Sequence, residues 1–120
     1  YKERMTPAGK MDKGEMEENC KRFDQRDRPL AIGCGDTLGS VRSLMGPEEF
    51  CIALYDDPDL VRDIITWYRD MNREYVFPLI ERLKPEIVQG WEDICGNHAM
   101  MVSPAHFEEF GGPLYRETAE

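Results

Sequence analysis

Two carboxylates, Glu92 and Asp93, stand side by side at the end of the run Glu86-Ile87-Val88-Gln89-Gly90-Trp91. That run reads as a strand, and Ile94 to Val102 reads as a loop leading to a helix start at Ser103-Pro104. In parallel α/β proteins ligands bind at the carboxyl ends of strands, so this is where chemistry is expected. Charged side chains there are costly unless water, a cation or a substrate meets them. Such a carboxylate could act as general acid or base, bind a cation or grip basic groups on a substrate. Neighbouring strand residues face opposite ways, so one of the pair is expected to serve a pocket and the other to serve structure. In the purely structural alternative, Asp93 caps a turn and Glu92 pairs with Arg42 or another arginine.

A second chemical candidate follows the apolar run Pro29-Leu30-Ala31-Ile32-Gly33. The stretch Gly33-Cys34-Gly35-Asp36-Thr37-Leu38-Gly39 invites a dinucleotide-binding reading. Its spacing is GxGxxxG rather than GxGxxG, and the next strand starts about fifty residues on instead of within a ~30-residue unit. A strand-end loop that needs backbone freedom is the plainer account. Asp36 and Thr37 remain candidates for lining a ligand pocket there. Cys95 and His98 have Cys-x-x-His spacing, and with Cys34 they could offer thiolate and imidazole to zinc; an ordinary loop histidine is the simpler reading. His106 sits in the first turn after Ser103, where a helix terminus disfavours its cation, and reads as a surface or supporting residue.

The elements that must position these residues are legible in outline. Pro29–Gly33 is too short for a stable helix and reads as a buried strand. Val41–Met45 is expected to form a helical turn closed by Gly46. Gly46-Pro47, Asp57-Pro58 and Ser103-Pro104 each place a cap-competent residue before a proline, and acids follow in the first two, which predicts three helix starts. Leu60, Ile64, Tyr68, Met71, Tyr75, Leu79 and Leu83 recur at helical spacing, widened by Val61, Ile65 and Val76. Pro78 falls inside that run and is expected to kink or divide the helix. Lys84-Pro85 should end it. A helix over 15–25, with the thin stripe Met16, Cys20 and Phe23, must lean on something larger. The order is helix, strand, short helices, long helix, strand, loop, helix: an α/β chain with a parallel strand pair.

Composition narrows the classes of function. The 120 residues carry 15 Lys and Arg against 24 Asp and Glu, a formal net charge of −9. That balance argues against a nucleic-acid partner and against docking on anionic lipid. No apolar run approaches the roughly 20 residues of a membrane span, and no signal peptide opens the chain. Cys20, Cys34, Cys51 and Cys95 form no CxxC pair, so reduced thiols in a cytoplasm are expected. Two strands cannot close a barrel, which takes about 250 residues when complete. The chain begins at Tyr1 and stops inside a predicted helix at Glu120, so a piece of something larger is expected.

Several stretches then fall into a known order. They are Leu38-Gly39-Ser40-Val41-Arg42-Ser43-Leu44-Met45-Gly46-Pro47-Glu48-Glu49-Phe50, the helix start Asp57-Pro58-Asp59-Leu60-Val61, and Trp91-Glu92-Asp93. Ser103-Pro104-Ala105-His106-Phe107-Glu108-Glu109-Phe110 and Pro113-Leu114-Tyr115 complete the series. Over roughly residues 29–120 the chain resembles the uroporphyrinogen decarboxylase (URO-D) superfamily. The resemblance implies a partial (β/α)8 TIM barrel of about two strands with their helices, residues 29–120, preceded by a polar helical segment, residues 1–28. It implies an enzyme with a small-molecule substrate: either a carboxy-lyase decarboxylating a tetrapyrrole in porphyrin biosynthesis without a cofactor, or a methyltransferase using zinc with a corrinoid partner. A homodimer of the full-length protein is the expected assembly.

In this resemblance Asp93 occupies a substrate-contacting place and is the catalytic candidate, while Asp36, Thr37 and Glu92 are the substrate-binding ones. The decarboxylases' arginine motif is expected before this stretch, and the methyltransferases' His-x-Cys zinc ligands beyond Glu120. The loop that carries a tyrosine in the decarboxylases reads Cys34-Gly35-Asp36-Thr37-Leu38-Gly39 here. A non-enzymatic α/β interaction module is the reading outside the family.

Overall fold

The computed structural model describes residues 2, 13–35 and 37–120. Helix α1 (Lys13–Asp24) leads to strand β1 (Ala31–Gly33), and helices α2 (Leu38–Met45), α3 (Pro47–Asp56) and α4 (Pro58–Met71) follow. A π-helical turn, Asn72–Val76, joins α4 to α5 (Phe77–Leu83), and strand β2 (Ile87–Gln89) comes next. The chain then forms α6 (Pro104–His106), a second π-helical turn at Phe107–Gly111, and α7 (Gly112–Ala119). The strands pair in parallel, with Ala31 opposite Ile87 and Gly33 opposite Gln89. Mostly helix around a parallel pair, this is an α/β arrangement.

The three proline-led helix starts form as their sequences dictate. Pro47, Pro58 and Pro104 each open a helix, where a missing N–H costs nothing. The Asp57 side chain accepts from the Leu60 N–H at 3.1 Å, and the Ser103 hydroxyl accepts from the His106 N–H at 3.2 Å. Gly46 takes φ +89°, which suits a residue without Cβ. Lys84, at φ +46°, turns left-handed to end α5 before Pro85.

Two expectations need correcting. Leu60 is not on the buried side of α4: it is exposed, whereas Val61, Ile64 and Ile65 are buried, so the inward stripe is rotated toward Val61. Strand β1, expected to be buried, is not, and β2 is no better covered. Ala31 and Gly33 are exposed, Ile32 is half-buried, and every residue of β2 is exposed. The reason is where the core lies. Leu38, Val41, Phe50, Ala53, Leu54, Val61, Ile64, Ile65, Val102 and Phe110 cluster between α2, α3, α4 and the segment 102–110, beside the sheet rather than over it.

The disturbance expected at Pro78 takes the form of the first π-helical turn. The Phe77 N–H bonds to the Asn72 carbonyl, five residues back, and helical structure continues through Pro78. The second turn repeats this device: the Gly112 N–H reaches the Phe107 carbonyl, just before Pro113. A widened turn supplies room where a proline ring would crowd the preceding coil.

Helix α1 is fastened to the sheet end of the molecule mainly by charge. Arg82 of α5 donates to Glu17 at 2.8 Å and to Asp24 at 2.8 Å. Arg26 donates to Glu86 and to the Lys84 carbonyl, and Glu86 in turn accepts from the Leu30 N–H at 2.8 Å. Beneath α1 lies an apolar groove of about 370 Å³ lined by Met16, Cys20, Phe23, Ile32, Leu79 and Leu83, among others. Among the described residues no helix is long and apolar enough to cross a membrane.

Candidate functional site

The parallel pairing brings the carboxyl ends of β1 and β2 together. The Cys34 N–H extends the ladder to the Gln89 carbonyl at 2.8 Å. A cleft of about 350 Å³ opens there, lined by Gly33, Cys34, Gly35, Ser40, Gln89, Gly90 and Trp91. A second hollow of about 210 Å³ shares Cys34, Gln89 and Gly90 and adds Tyr115 and Thr118 of α7. Trp91 stands 79% exposed beside the first cleft.

Both adjacent carboxylates turn out to serve α2. Glu92 lies across its N-terminus: one oxygen accepts from the Thr37 N–H and the Thr37 hydroxyl, each at 2.6 Å, and the other from the Gly39 N–H at 2.7 Å. The Leu38 N–H also points to it, at 3.3 Å. A helix start leaves several N–H groups without internal partners, and its dipole favours a negative charge there. Thr37 makes no cap with its own side chain, so Glu92 supplies the cap from the loop after β2. Asp93 accepts from Arg42 at 2.7 Å, and the same guanidinium nitrogen reaches the Asp93 carbonyl at 2.9 Å. Relative to the structural alternative read in the sequence, the two residues have exchanged parts: Glu92 caps and Asp93 pairs with Arg42.

The other sequence candidates fall unevenly. Thr37 is fully buried and spends its hydroxyl on Glu92. Asp36 lies outside the described residues. Cys95 and His98 are exposed on a small antiparallel excursion, in which Cys95 pairs with Met100 and the Gly96 N–H bonds to the Ala99 carbonyl. Cys34 is buried, away from such exposure. Among the described residues no three His, Cys, Asp or Glu side chains gather to hold a metal ion. His106 packs edge-on to Tyr55, ring centres 4.8 Å apart.

Thr118 and Asn72, near the strand ends, are not evident from the motifs. The Cys34 sulfur lies 3.3 Å from the Thr118 hydroxyl, which itself donates to the Leu114 carbonyl at 2.8 Å. A hydroxyl has one proton, so the thiol is the donor to Thr118. The Tyr115 ring lies so close to Gly90 that a Cβ there would meet its Cε1 and hydroxyl oxygen at 3.0 Å. Nothing in a linear motif brings residues 34, 90, 115 and 118 together. Asn72 did carry a signal: it is a polar residue four places after Tyr68, on the inward side of the helix. Its Oδ1 accepts from the Gly35 N–H at 2.9 Å.

Comparison of the chain with protein-family models, with curated proteins and with solved structures finds no match.

Proposed function

We propose that the chain is part of an α/β-barrel enzyme of the uroporphyrinogen decarboxylase superfamily, with its substrate cleft at the carboxyl ends of β1 and β2. The observation that carries this reading is the cleft itself. It lies where parallel α/β enzymes bind ligands, between the two segments that hold the resemblance. The exposed apolar β2 residues support the barrel part of the proposal, because a barrel strand is flanked by neighbouring strands and covered by helices.

The leading activity is decarboxylation of a tetrapyrrole. In this reading Asp93, oriented by Arg42, handles a proton at the reacting carbon, while Glu92 and Thr37 act by fixing α2 beside the cleft. The second reading is methyl transfer. What favours it is the lining of the cleft, where uncharged Cys34, Ser40, Gln89 and Trp91 suit an alkyl group better than several carboxylates. Zinc would supply an activated thiolate in that case; the described residues do not form its site by themselves.

The deciding experiment uses the protein expressed from its full gene. Incubation with uroporphyrinogen should yield products with fewer carboxyl groups, resolved by chromatography. Asp93→Asn should then lower turnover by about a hundredfold or more, with little change in melting temperature. Unchanged substrate, together with demethylation of methylcobalamin when a thiol is added, would transfer the assignment to the second reading. Inactivity in both assays would leave the interaction module.

A further inference from the structure

We propose that Asn72 and Gly111 are positioning residues for the strand-end cleft, each set in place by its own π-helical turn. The proposal rests on the reading of that cleft as the substrate site. Asn72 begins the first turn and is 3% exposed. Its side-chain N–H donates to the Tyr68 carbonyl at 2.9 Å, which anchors the amide to its own helix, and its oxygen holds the Gly35 N–H at 2.9 Å. The fit is close from the other side too: a Cβ at Gly35 would come within 3.0 Å of the Asn72 amide nitrogen.

Gly111 closes the second turn and works by leaving room. A Cβ there would lie 3.3 Å from the Thr37 hydroxyl oxygen, 3.4 Å from Leu38 and 3.3 Å from the Phe107 ring. Its φ of −90° is open to any residue, so space, not backbone freedom, calls for glycine. Thr37 is the residue whose N–H and hydroxyl grip Glu92. The connection between β1 and α2 is thus held at Gly35 by one π-helical turn, at Thr37 by Glu92, and against the other π-helical turn at Gly111.

A π-helical turn carries one residue more than the α-helix around it and shifts the side chains on either side out of their regular stripe. In this chain both such turns bear on the same connection. That is the arrangement expected where a group beside a substrate must be held to a fraction of an ångström.

Iodoacetamide labelling, read cysteine by cysteine with mass spectrometry, tests this without any turnover assay. Cys34 adjoins Gly35 and is 3% exposed; Cys20 on α1 is 2% exposed and serves as the internal reference. Asn72→Ala should speed labelling of Cys34 about tenfold with Cys20 unchanged, because one loop opens locally. Gly111→Ala should do the same to a smaller degree. Gly35→Ala should also speed Cys34 labelling. Combining it with Asn72→Ala should give no more than Asn72→Ala alone, since the crowded partner has gone.

The core variant Val61→Ala, by contrast, should raise both cysteines together. If Asn72→Ala raises Cys34 and Cys20 equally, or if the Gly35 and Asn72 effects simply multiply, the proposal is overturned. Should Asn72→Ala not fold, Gly35→Ala and Gly111→Ala give the same readout. A chain inactive in both turnover assays can still show the selective opening. An active enzyme that lacks it would defeat this proposal alone.

Discussion

The two halves of the molecule hold together by different means. In the helical half, Leu38, Val41, Phe50, Val61 and Val102 are at most 1% exposed, and stability there comes from apolar area withdrawn from water. In the sheet half, Ile87 and Val88 remain exposed, and α1 is fastened by Arg82 to Glu17 and Asp24 and by Arg26 to Glu86. Apolar burial has no charge to titrate or to screen, whereas exposed ion pairs weaken with both acid and salt. The helical half therefore has the stronger claim to fold by itself, and the sheet half the stronger need of cover.

This contrast can be broken most forcefully in the core. Phe50→Ala should cost about 3–5 kcal/mol in urea unfolding, since it leaves a cavity among close-packed neighbours. A loss near zero would mean that the helical half is not the stable one. Glu92→Ala tests the seam between the halves. It removes the acceptor for the start of α2 and should cost roughly 2–3 kcal/mol, with faster hydrogen exchange at residues 37–39.

Acid should release α1 before it touches the core. Bonding from the Leu30 N–H and then from Arg26 holds the Glu86 carboxyl down at about 2. Arg82 lowers Glu17 and Asp24 below the ordinary carboxylate range through its hydrogen bonds. Groups with lowered values stabilise the fold above their unfolded range and lose that contribution as they become protonated. The clasp should therefore be intact at neutral pH and fail between about pH 4.5 and about pH 2. Hydrogen exchange over residues 13–24 should rise in that window, ahead of residues 50–65; simultaneous exchange would erase the distinction.

Smaller effects sharpen it. Arg42→Gln breaks a partly exposed pair with Asp93 and should cost less than about 1 kcal/mol. Ile87→Thr, on the exposed strand, should stay within about 0.5 kcal/mol. A larger loss there would show that this strand is covered in solution.

Sequence patterning reveals the helix starts because each is encoded within four residues, as at Asp57 to Leu60 and Ser103 to His106. The strands are legible from short apolar runs, but their exposure is not, because it depends on which other elements reach them. Helix α2 begins three residues before the predicted Val41, and the cause lies elsewhere in the chain: its cap is Glu92, which no local pattern can disclose. For the same reason the roles of Glu92 and Asp93 could be separated in principle but not assigned. Asn72 escaped the pattern reading, although a polar residue four places after Tyr68 falls on the inward side of the helix, where it is buried.

The Glu92 cap also orders events as the chain folds. Its partner Thr37 lies 55 residues earlier. Until residue 92 arrives, the first N–H groups of α2 can bond only to water, so its first turn, closed locally by the Val41 N–H on the Thr37 carbonyl, stays uncapped. Loop closure over that distance comes slowly compared with helix formation. Helix α4, capped from within by Asp57, is therefore free to form first, and α2 should lock only when β2 pairs with β1.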